Sequence, residues 1–290
     1  MTLPKFSYRA PTSVEELVEL VGEYGEDGLP VAGGTSVVVM LRERLVRPQA
    51  LLSLTEIPEL RRLESNGVLR LGAMVTHREI ERSGLVRDFA PMLAQACGRV
   101  GSPAIRNMGT LCGNIAHGDS ASDPAPALIA LGAEAVVQGP GGERRLALDS
   151  FFKGFFDTER ADDEVLTAIE VPPAAAGSRH VFHKFTTTSA EAFALVTVSV
   201  SVVPAADGSC ADLAIGLGSV GPAPLRAHAA EAVLRGQAVN ADSIAAAAEA
   251  AVGECDPTSD SQGSADYRRQ MTRVWLRRCL AQAFEQTSQP

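Results

Sequence analysis

Residues 106–125 read Arg-Asn-Met-Gly-Thr-Leu-Cys-Gly-Asn-Ile-Ala-His-Gly-Asp-Ser-Ala-Ser-Asp-Pro-Ala, a run of small residues, hydroxyls, amides and acids between two apolar helical patterns. So few large apolar side chains make a poor core. Glycine backbone flanked by short polar groups instead makes a good cradle for a ligand, because it allows both close approach and positive φ angles. A second such segment, Ala32-Gly33-Gly34-Thr35-Ser36, follows directly on the apolar run Leu29-Pro30-Val31. Either segment alone is a weak signal, since a tight turn has the same composition, and neither is a Walker loop or a GxGxxG fingerprint. Together, with an acid at Asp123 suited to a ribose hydroxyl or a ring N–H, they imply a fold that closes both turns on one phosphate-bearing cofactor.

The rest of the chain supplies the frame. Ser13-Val14-Glu15-Glu16 reads as a capping box opening a helix over 13–24, with Val14, Leu17, Val18, Val21 and Tyr24 on one face. A strand at 29–32, a helix from Thr35 or Ser36 to about 44 and a strand at 50–54 make a small β-α-β unit. The second of these elements is ambiguous, because Val37-Val38-Val39 also suits a strand. Beyond Pro58 come a strand at 68–74, a capping box at 76–79 and helices at 91–100 and 124–131. A hairpin at 134–148 turning on Gly139-Pro140-Gly141-Gly142 and a strand at 164–171 complete this part. After the Pro/Ala/Gly-rich stretch 172–178, strands at 181–185, 194–203 and 211–218 precede helices at 223–235, 242–252 and 264–286. The expected class is α+β rather than doubly wound. Its three parts are 1–57, the small βαβ unit; 58–174, an antiparallel-sheet unit; and 175–290, an antiparallel sheet with helices.

Charge and cysteine usage exclude several alternatives. A formal charge of −9 over 290 residues gives no electrostatic reason to bind nucleic acid or an anionic membrane. The local Arg clusters (42, 44, 47; 268, 269, 273, 277, 278) read as solvated helix faces or a subunit contact. The five cysteines are widely spaced and form no CxxC pair, so neither a disulfide framework nor a Cys-ligated metal is encoded. With no signal-peptide layout at the N-terminus and no apolar run long enough to span a bilayer, a reducing cytoplasm is the expected location.

Five motifs in order along nearly the whole chain resemble the FAD-binding medium subunit of the molybdenum hydroxylases, the family of xanthine dehydrogenase and aerobic carbon monoxide dehydrogenase. Ala32-Gly33-Gly34-Thr35-Ser36 is similar to its AGG-x-S motif, and Arg106-Asn107-x-Gly109-Thr110-x-x-Gly113-Asn114 to its RN-x-GT-[IL]-GGN. Gly72-Ala73-Met74-Val75-Thr76-His77 resembles GA-x-[TV]-TH, Leu166-Thr167-Ala168-Ile169 resembles LT-x-I, and Gly263-Ser264-Ala265-Asp266-Tyr267-Arg268 resembles GSA-x-YR. The resemblance implies FAD lying extended between the first two parts, with its isoalloxazine ring toward the third. Gly33, Gly34, Thr35, Ser36, Thr110, Leu111, Cys112, Gly113 and Asn114 would line the diphosphate, with Ala32 and Thr76 completing the cofactor-binding set. Asp123 would hydrogen-bond FAD, Leu166 would pack on the ring and Lys184 would stand at its edge. Cys112 takes the place of a glycine, and a side chain there restricts φ. The run 184–193 lacks the Arg-Arg of the family; with one gap Phe193 stands for its aromatic and Ala192 for its Asp, and without a gap Glu191 replaces the Asp.

The implied activity is that of an electron-transferring oxidoreductase subunit with no catalytic acid, base or nucleophile of its own. Electrons would come from iron–sulfur centres on a small partner subunit, which receives them from a molybdopterin-binding large subunit, in a dimer of heterotrimers. Two alternatives stay open: a stand-alone flavin oxidase or reductase, and a flavin-free scaffold that keeps the fold. His180 and His183 fall on opposite faces of a strand and suit no single metal, while His77 and His117 are each placed to cap, to pack or to meet FAD.

Overall fold

The computed structural model describes residues 4–285. The first unit is a parallel sheet of β1 (Ser7–Arg9), β2 (Gly28–Val31) and β3 (Ala50–Ser53) in the order β1-β3-β2, with helices α1 (Val14–Tyr24) and α2 (Thr35–Arg42). The β-α-β pattern is present, and the ambiguous valines are helical. Strand β1 has no counterpart in the sequence reading. Its three side chains are all exposed, so no alternation marks it, and it exists through its parallel register with β3, Ser7↔Ala50 to Arg9↔Leu52. Ser13 caps α1 by accepting the Glu16 N–H at 3.2 Å, but the Glu16 carboxylate takes the N–H of Thr12 at 2.8 Å, which is one half of a capping box.

The second unit runs through β4 (Leu63–Ser65), β5 (Leu69–Gly72) and six short helices. These are α3 (His77–Arg82), α4 (Gly84–Phe89), α5 (Pro91–Cys97), α6 (Pro103–Met108), α7 (Leu111–His117) and α8 (Pro124–Ala130). The expected hairpin follows as β6 (Glu134–Gly139) and β7 (Gly142–Ala147), paired Gly139↔Gly142 at its tip. Helix α9 (Leu148–Phe151), a small ribbon of β8 (Phe152–Gly154) and β9 (Asp157–Thr158), and β10 (Val165–Val171) close the unit. The sheet is antiparallel in the order β4-β5-β10-β6-β7. The last strand in sequence therefore lies in the middle, which accounts for its almost uninterrupted burial. Leu17, Val21 and Leu52 of the first unit belong to the same apolar cluster as Leu69, Leu71 and Ile169 of the second. A first unit this small buries too little surface for a core of its own, and sharing one resolves that deficit.

The third unit is an antiparallel sheet of β11 (Arg179–Phe185), β12 (Val196–Pro204), β13 (Cys210–Gly218) and β14 (Leu225–Arg226), in that order. Helices α10 (His228–Leu234), α11 (Ala241–Gly253) and α12 (Ala265–Glu285) pack on it. Residue 286, expected to end the last helix, lies outside the described residues. The helix expected over 223–235 begins only at His228. Leu225 and Arg226 instead pair with Leu217 and Gly216, and Glu231 fixes that edge by accepting from Ile215 N–H (2.9 Å) and Arg226 Nε (2.8 Å). Arg268 of the GSA-x-YR motif is buried and donates to the carbonyls of Leu195 and Ser219 and to Asp260, so it ties α12 to the sheet.

Helix α8 joins the second and third units. All seven of its residues are buried, and β13 receives it on glycines. A Cβ on Gly216 would lie 2.0 Å from the Pro126 carbonyl oxygen. Met92, Ala96, Ala127, Ala130 and Phe182 fill the space alongside. Gly216→Ala is expected to cost on the order of 1–3 kcal/mol through overpacking and to lower the melting temperature measured by calorimetry. Gly22→Ala, in α1 with open space around it, is the control and is expected to leave the transition unchanged or slightly raised.

Candidate functional site

Strand β2 delivers the chain to Gly33 and Gly34. Gly34 has φ +69°, a left-handed conformation natural to glycine, and it stands at the N-cap of α2 without a side chain to cap it. The first N–H groups of α2, those of Thr35, Ser36 and Val37, therefore open the helix with no side-chain partner at the cap. Gly33 is needed for a different reason. A Cβ there would lie 1.8 Å from the carbonyl oxygen of Met108, so the two glycine segments touch backbone to backbone. Two further contacts extend the seam. Thr35 Oγ1 lies 3.4 Å from where a Cβ of Gly109 would be, and the Ala32 Cβ lies 3.9 Å from the same position on Gly113.

The second segment is built differently from the glycine turn that the sequence suggests. Helix α6 ends at Met108 and α7 begins at Leu111, with Gly109-Thr110 as the link. Neither Gly109 nor Gly113 has a positive φ. Three of the opening N–H groups already have partners: Leu111 donates to Val75 O (3.1 Å), Gly113 to Thr110 Oγ1 (3.1 Å) and Asn114 to Thr110 O (3.0 Å). The Cys112 N–H is left without a partner among the described residues. Cys112 has ordinary helical geometry, so the expected φ restriction does not arise. Its side chain points into the core, where Sγ–H faces the Leu71 carbonyl at 3.7 Å and burial pushes the thiol up to about 12. A thiol so held is neither a nucleophile nor a redox group at neutral pH.

The 75–77 segment stitches this link in place through a Thr76↔Thr110 bridge and a His77 N–H donated to Gly109 O at 3.0 Å. The Thr76 hydroxyl is engaged in a full capping box with Glu79. Arg106 is a clamp rather than a ligand-facing cation, bonding Glu81 and the carbonyls of Val100 and Gly101. His77 is buried, its Cδ2 lies 3.3 Å from the Cβ position of Gly109, and its Nδ1 has no partner among the described residues. Burial, with Arg106 adding repulsion, lowers its pKa to about 4.

On the far side of α7 the Asn114 Oδ1 accepts from the Ser122 hydroxyl, which in turn accepts the Ala125 N–H at 3.2 Å. Asp123 follows at the start of α8. Its Oδ2 meets Lys184 Nζ at 2.7 Å, and Nζ also donates to Arg99 O at 2.9 Å. The Lys184 side chain is 1% exposed, and Asp123 Oδ1 is buried with no partner among the described residues. Burial raises the Asp123 carboxyl to about 6, with Lys184 pulling the other way. Leu166 is buried in β10 beside the bulge between Leu166 and Ala168. Phe193 lies in the irregular loop between β11 and β12 and is 61% exposed.

The structure thus brings Ala32–Ser36, Thr110–Asn114 and Thr76 into one seam, with the Asp123–Lys184 pair beyond α7. His180 is paired with Ser178, His183 is stacked on Trp275 (3.6 Å) and His117 packs on Phe156 (4.9 Å). No group of three or more His, Cys, Asp or Glu side chains is arranged to hold a metal among the described residues, and no described helix is long and apolar enough to cross a membrane. Sequence patterning carries no signal for Arg99, because a lone cation takes its meaning here only from Lys184, far away in the chain.

Comparison with known proteins agrees with this architecture. The family described as FAD binding domain in molybdopterin dehydrogenase matches residues 4–174, and the CO dehydrogenase flavoprotein C-terminal domain matches residues 180–283. The chain is 34% identical over 286 residues to the carbon monoxide dehydrogenase medium chain of Hydrogenophaga pseudoflava, covering 98% of this chain and 99% of that one. It is also 34% identical to the nicotine 6-hydroxylase medium subunit of Paenarthrobacter nicotinovorans, over 99% of this chain and all of that one. The solved structure of quinoline 2-oxidoreductase from Pseudomonas putida 86 superposes with a TM-score of 0.91 at 31% identity, covering both chains completely. Fold and matches together define an FAD-binding oxidoreductase subunit. The chain belongs to the family of FAD-binding medium subunits of the molybdenum hydroxylases.

The buried His77 sets a pH dependence of stability. It is neutral in the folded protein down to about pH 4, whereas the unfolded chain takes up the proton near 6.5. Its contribution is fully present above pH 6.5 and is lost as pH falls from there toward 4, with a slope of up to about 1.4 kcal/mol per pH unit. Urea unfolding of His77→Gln at pH 7.5 and pH 5 is expected to give a smaller loss of stability between the two than the wild type gives.

Proposed function

We propose that this chain passes electrons from iron–sulfur centres of a small partner subunit to an external acceptor, as the FAD-bearing medium subunit of a cytoplasmic molybdenum-dependent dehydrogenase. The molybdopterin-binding large subunit would complete a heterotrimer, two of which would form the assembly. The observation that carries the binding site is the contact of Gly33 with the Met108 carbonyl. It closes the two segments on each other with no space for a Cβ between them, so that the uncapped end of α2 lies beside the start of α7.

Residues 1–57 and 58–174 would be the two halves of the FAD-binding part, and 175–290 would close the ring end. Thr35 and Ser36 would meet the diphosphate through the uncapped end of α2, which favours negative charge. Ala32, Gly33 and Gly34 would shape the approach. From the other side would come the Cys112 N–H and the surfaces of Thr110, Leu111, Gly113 and Asn114, held at their spacing by the Thr76 bridge. Asp123 Oδ1, buried and lacking a partner, would accept a hydroxyl or ring N–H of the cofactor, a bond that removes the cost of leaving it unpaired. Leu166 would pack behind the ring system, and Lys184 would hold Asp123 in place. FAD, when bound, supplies the exchange between one-electron and two-electron partners. The protein contributes binding, orientation and exclusion of water, for which no acid, base or nucleophile is required.

The full-length wild type is expected to purify yellow and to release about one FAD per chain on denaturation; a colourless protein that takes up no added FAD would overturn the assignment. Gly33→Ala is expected to bind FAD at least tenfold more weakly by fluorescence titration, since its methyl group must push α2 away from Met108, whereas Gly22→Ala is expected to bind as the wild type does. Mixed with its two partner subunits and their substrate, the wild type is expected to show bleaching of the flavin absorbance.

A further inference from the structure

Lys184 is the cation that the family resemblance implies at the flavin edge, yet its ammonium is already committed. It sits 2.7 Å from Asp123 Oδ2 and 2.9 Å from the Arg99 carbonyl oxygen, almost wholly buried. The pair is neutral overall, so it offers no net positive charge to a neighbour. A second acid, Asp119, lies near enough to disfavour ionisation of Asp123 further. Unless another cation faces this region, its net charge is negative, and it would resist the extra negative charge of a reduced flavin.

Such a cation is present. Arg99 follows α5, and its own carbonyl is the one that accepts from Lys184 Nζ, so its backbone is fixed against the buried pair. Its side chain is exposed, and among the described residues no hydrogen bond or ion pair engages its guanidinium. Its charge is felt at two points of the same region, favouring ionised Asp123 and disfavouring protonated His183. Arg278, the other cation felt by His183, lies over the Trp275 ring at 4.6 Å and is occupied there.

We infer that Arg99, rather than Lys184, is the cation that stabilises the reduced form of FAD in this subunit, and that Lys184 acts by positioning Asp123. The inference rests on the proposed FAD site, with the ring end of the cofactor at Asp123. A guanidinium keeps its charge at every relevant pH. Its attraction for a developing negative charge a few ångströms away is useful even when partly screened by solvent.

The test is the affinity of full-length wild type, Arg99→Gln and Arg99→Lys for oxidised FAD and, anaerobically, for dithionite-reduced FAD, with the reduction potential of the bound flavin read by spectroelectrochemistry. Arg99 is exposed, so folding of the variants is expected to be unaffected, and circular dichroism checks this. The expected result is that Arg99→Gln binds oxidised FAD within about twofold of wild type but reduced FAD about tenfold more weakly. That difference corresponds to a potential lower by about 30 mV for a two-electron couple, and Arg99→Lys is expected to restore most of it. Equal weakening of both forms, or no change in either, overturns the inference while leaving the FAD site intact. A wild type that binds neither form overturns the site and the inference together.

Discussion

The contact between Gly33 and the Met108 carbonyl sets the distance on which the rest of the FAD-binding part depends. Two main chains approach there more closely than any side chain permits. The small parallel sheet, which has no adequate core alone, is thereby held against the antiparallel sheet whose core it shares. The same approach leaves the uncapped end of α2 facing the start of α7. Binding capacity and interdomain packing therefore arise from one constraint. A methyl group at position 33 would disturb both, which is why the free end of α2 and the shared core belong to a single description.

A second constraint operates at the other end of the site. Helix α8 is buried along its whole length between the antiparallel sheets, seated on Gly216 and Gly218 of β13. Its first residues carry Asp123 to Lys184 on β11, and the resulting ion pair lies in the joint between the second and third units. A buried pair of this kind adds little to stability against an apolar replacement, but removing one partner strands a charge at a cost of about 3–5 kcal/mol. Its value here is geometric. It fixes the orientation of a carboxylate whose second oxygen stays open, and it uses up the lysine charge in doing so.

Local chemistry made much of this legible. Ser13 and Thr76 announced helix starts because a short hydroxyl side chain can reach a backbone N–H three residues on, and Gly139–Gly142 announced a hairpin because the turn needs glycine. The three valines of α2 were ambiguous because β-branched residues suit either state. Their helical conformation begins at the left-handed glycine of the N-cap, and Val38 and Val39 stay largely exposed on the helix. Strands β1 and β14 were invisible because they are two- or three-residue edges defined by their partners' hydrogen bonds. Within the site, the residue types at 33–36 and 110–114 pointed to backbone recognition. That Thr110 uses its hydroxyl and carbonyl to satisfy the N–H groups of Gly113 and Asn114 could not be read from spacing, because it depends on where α7 begins.

By itself, then, the sequence determined which segments could approach a ligand closely, where most helices and strands lie, and which family the chain resembles. All of these follow from the size, polarity and backbone freedom of neighbouring residues. Only the tertiary structure decided that Cys112 faces the core, that Arg106 is a clamp, and that Lys184 is bound to Asp123 while the Arg99 guanidinium has no hydrogen-bond or ion-pair partner among the described residues. Those roles depend on which atoms the fold brings together, for Cys112 across 41 residues and for Lys184 across 61 and 85 residues of chain, and no local pattern encodes such a contact.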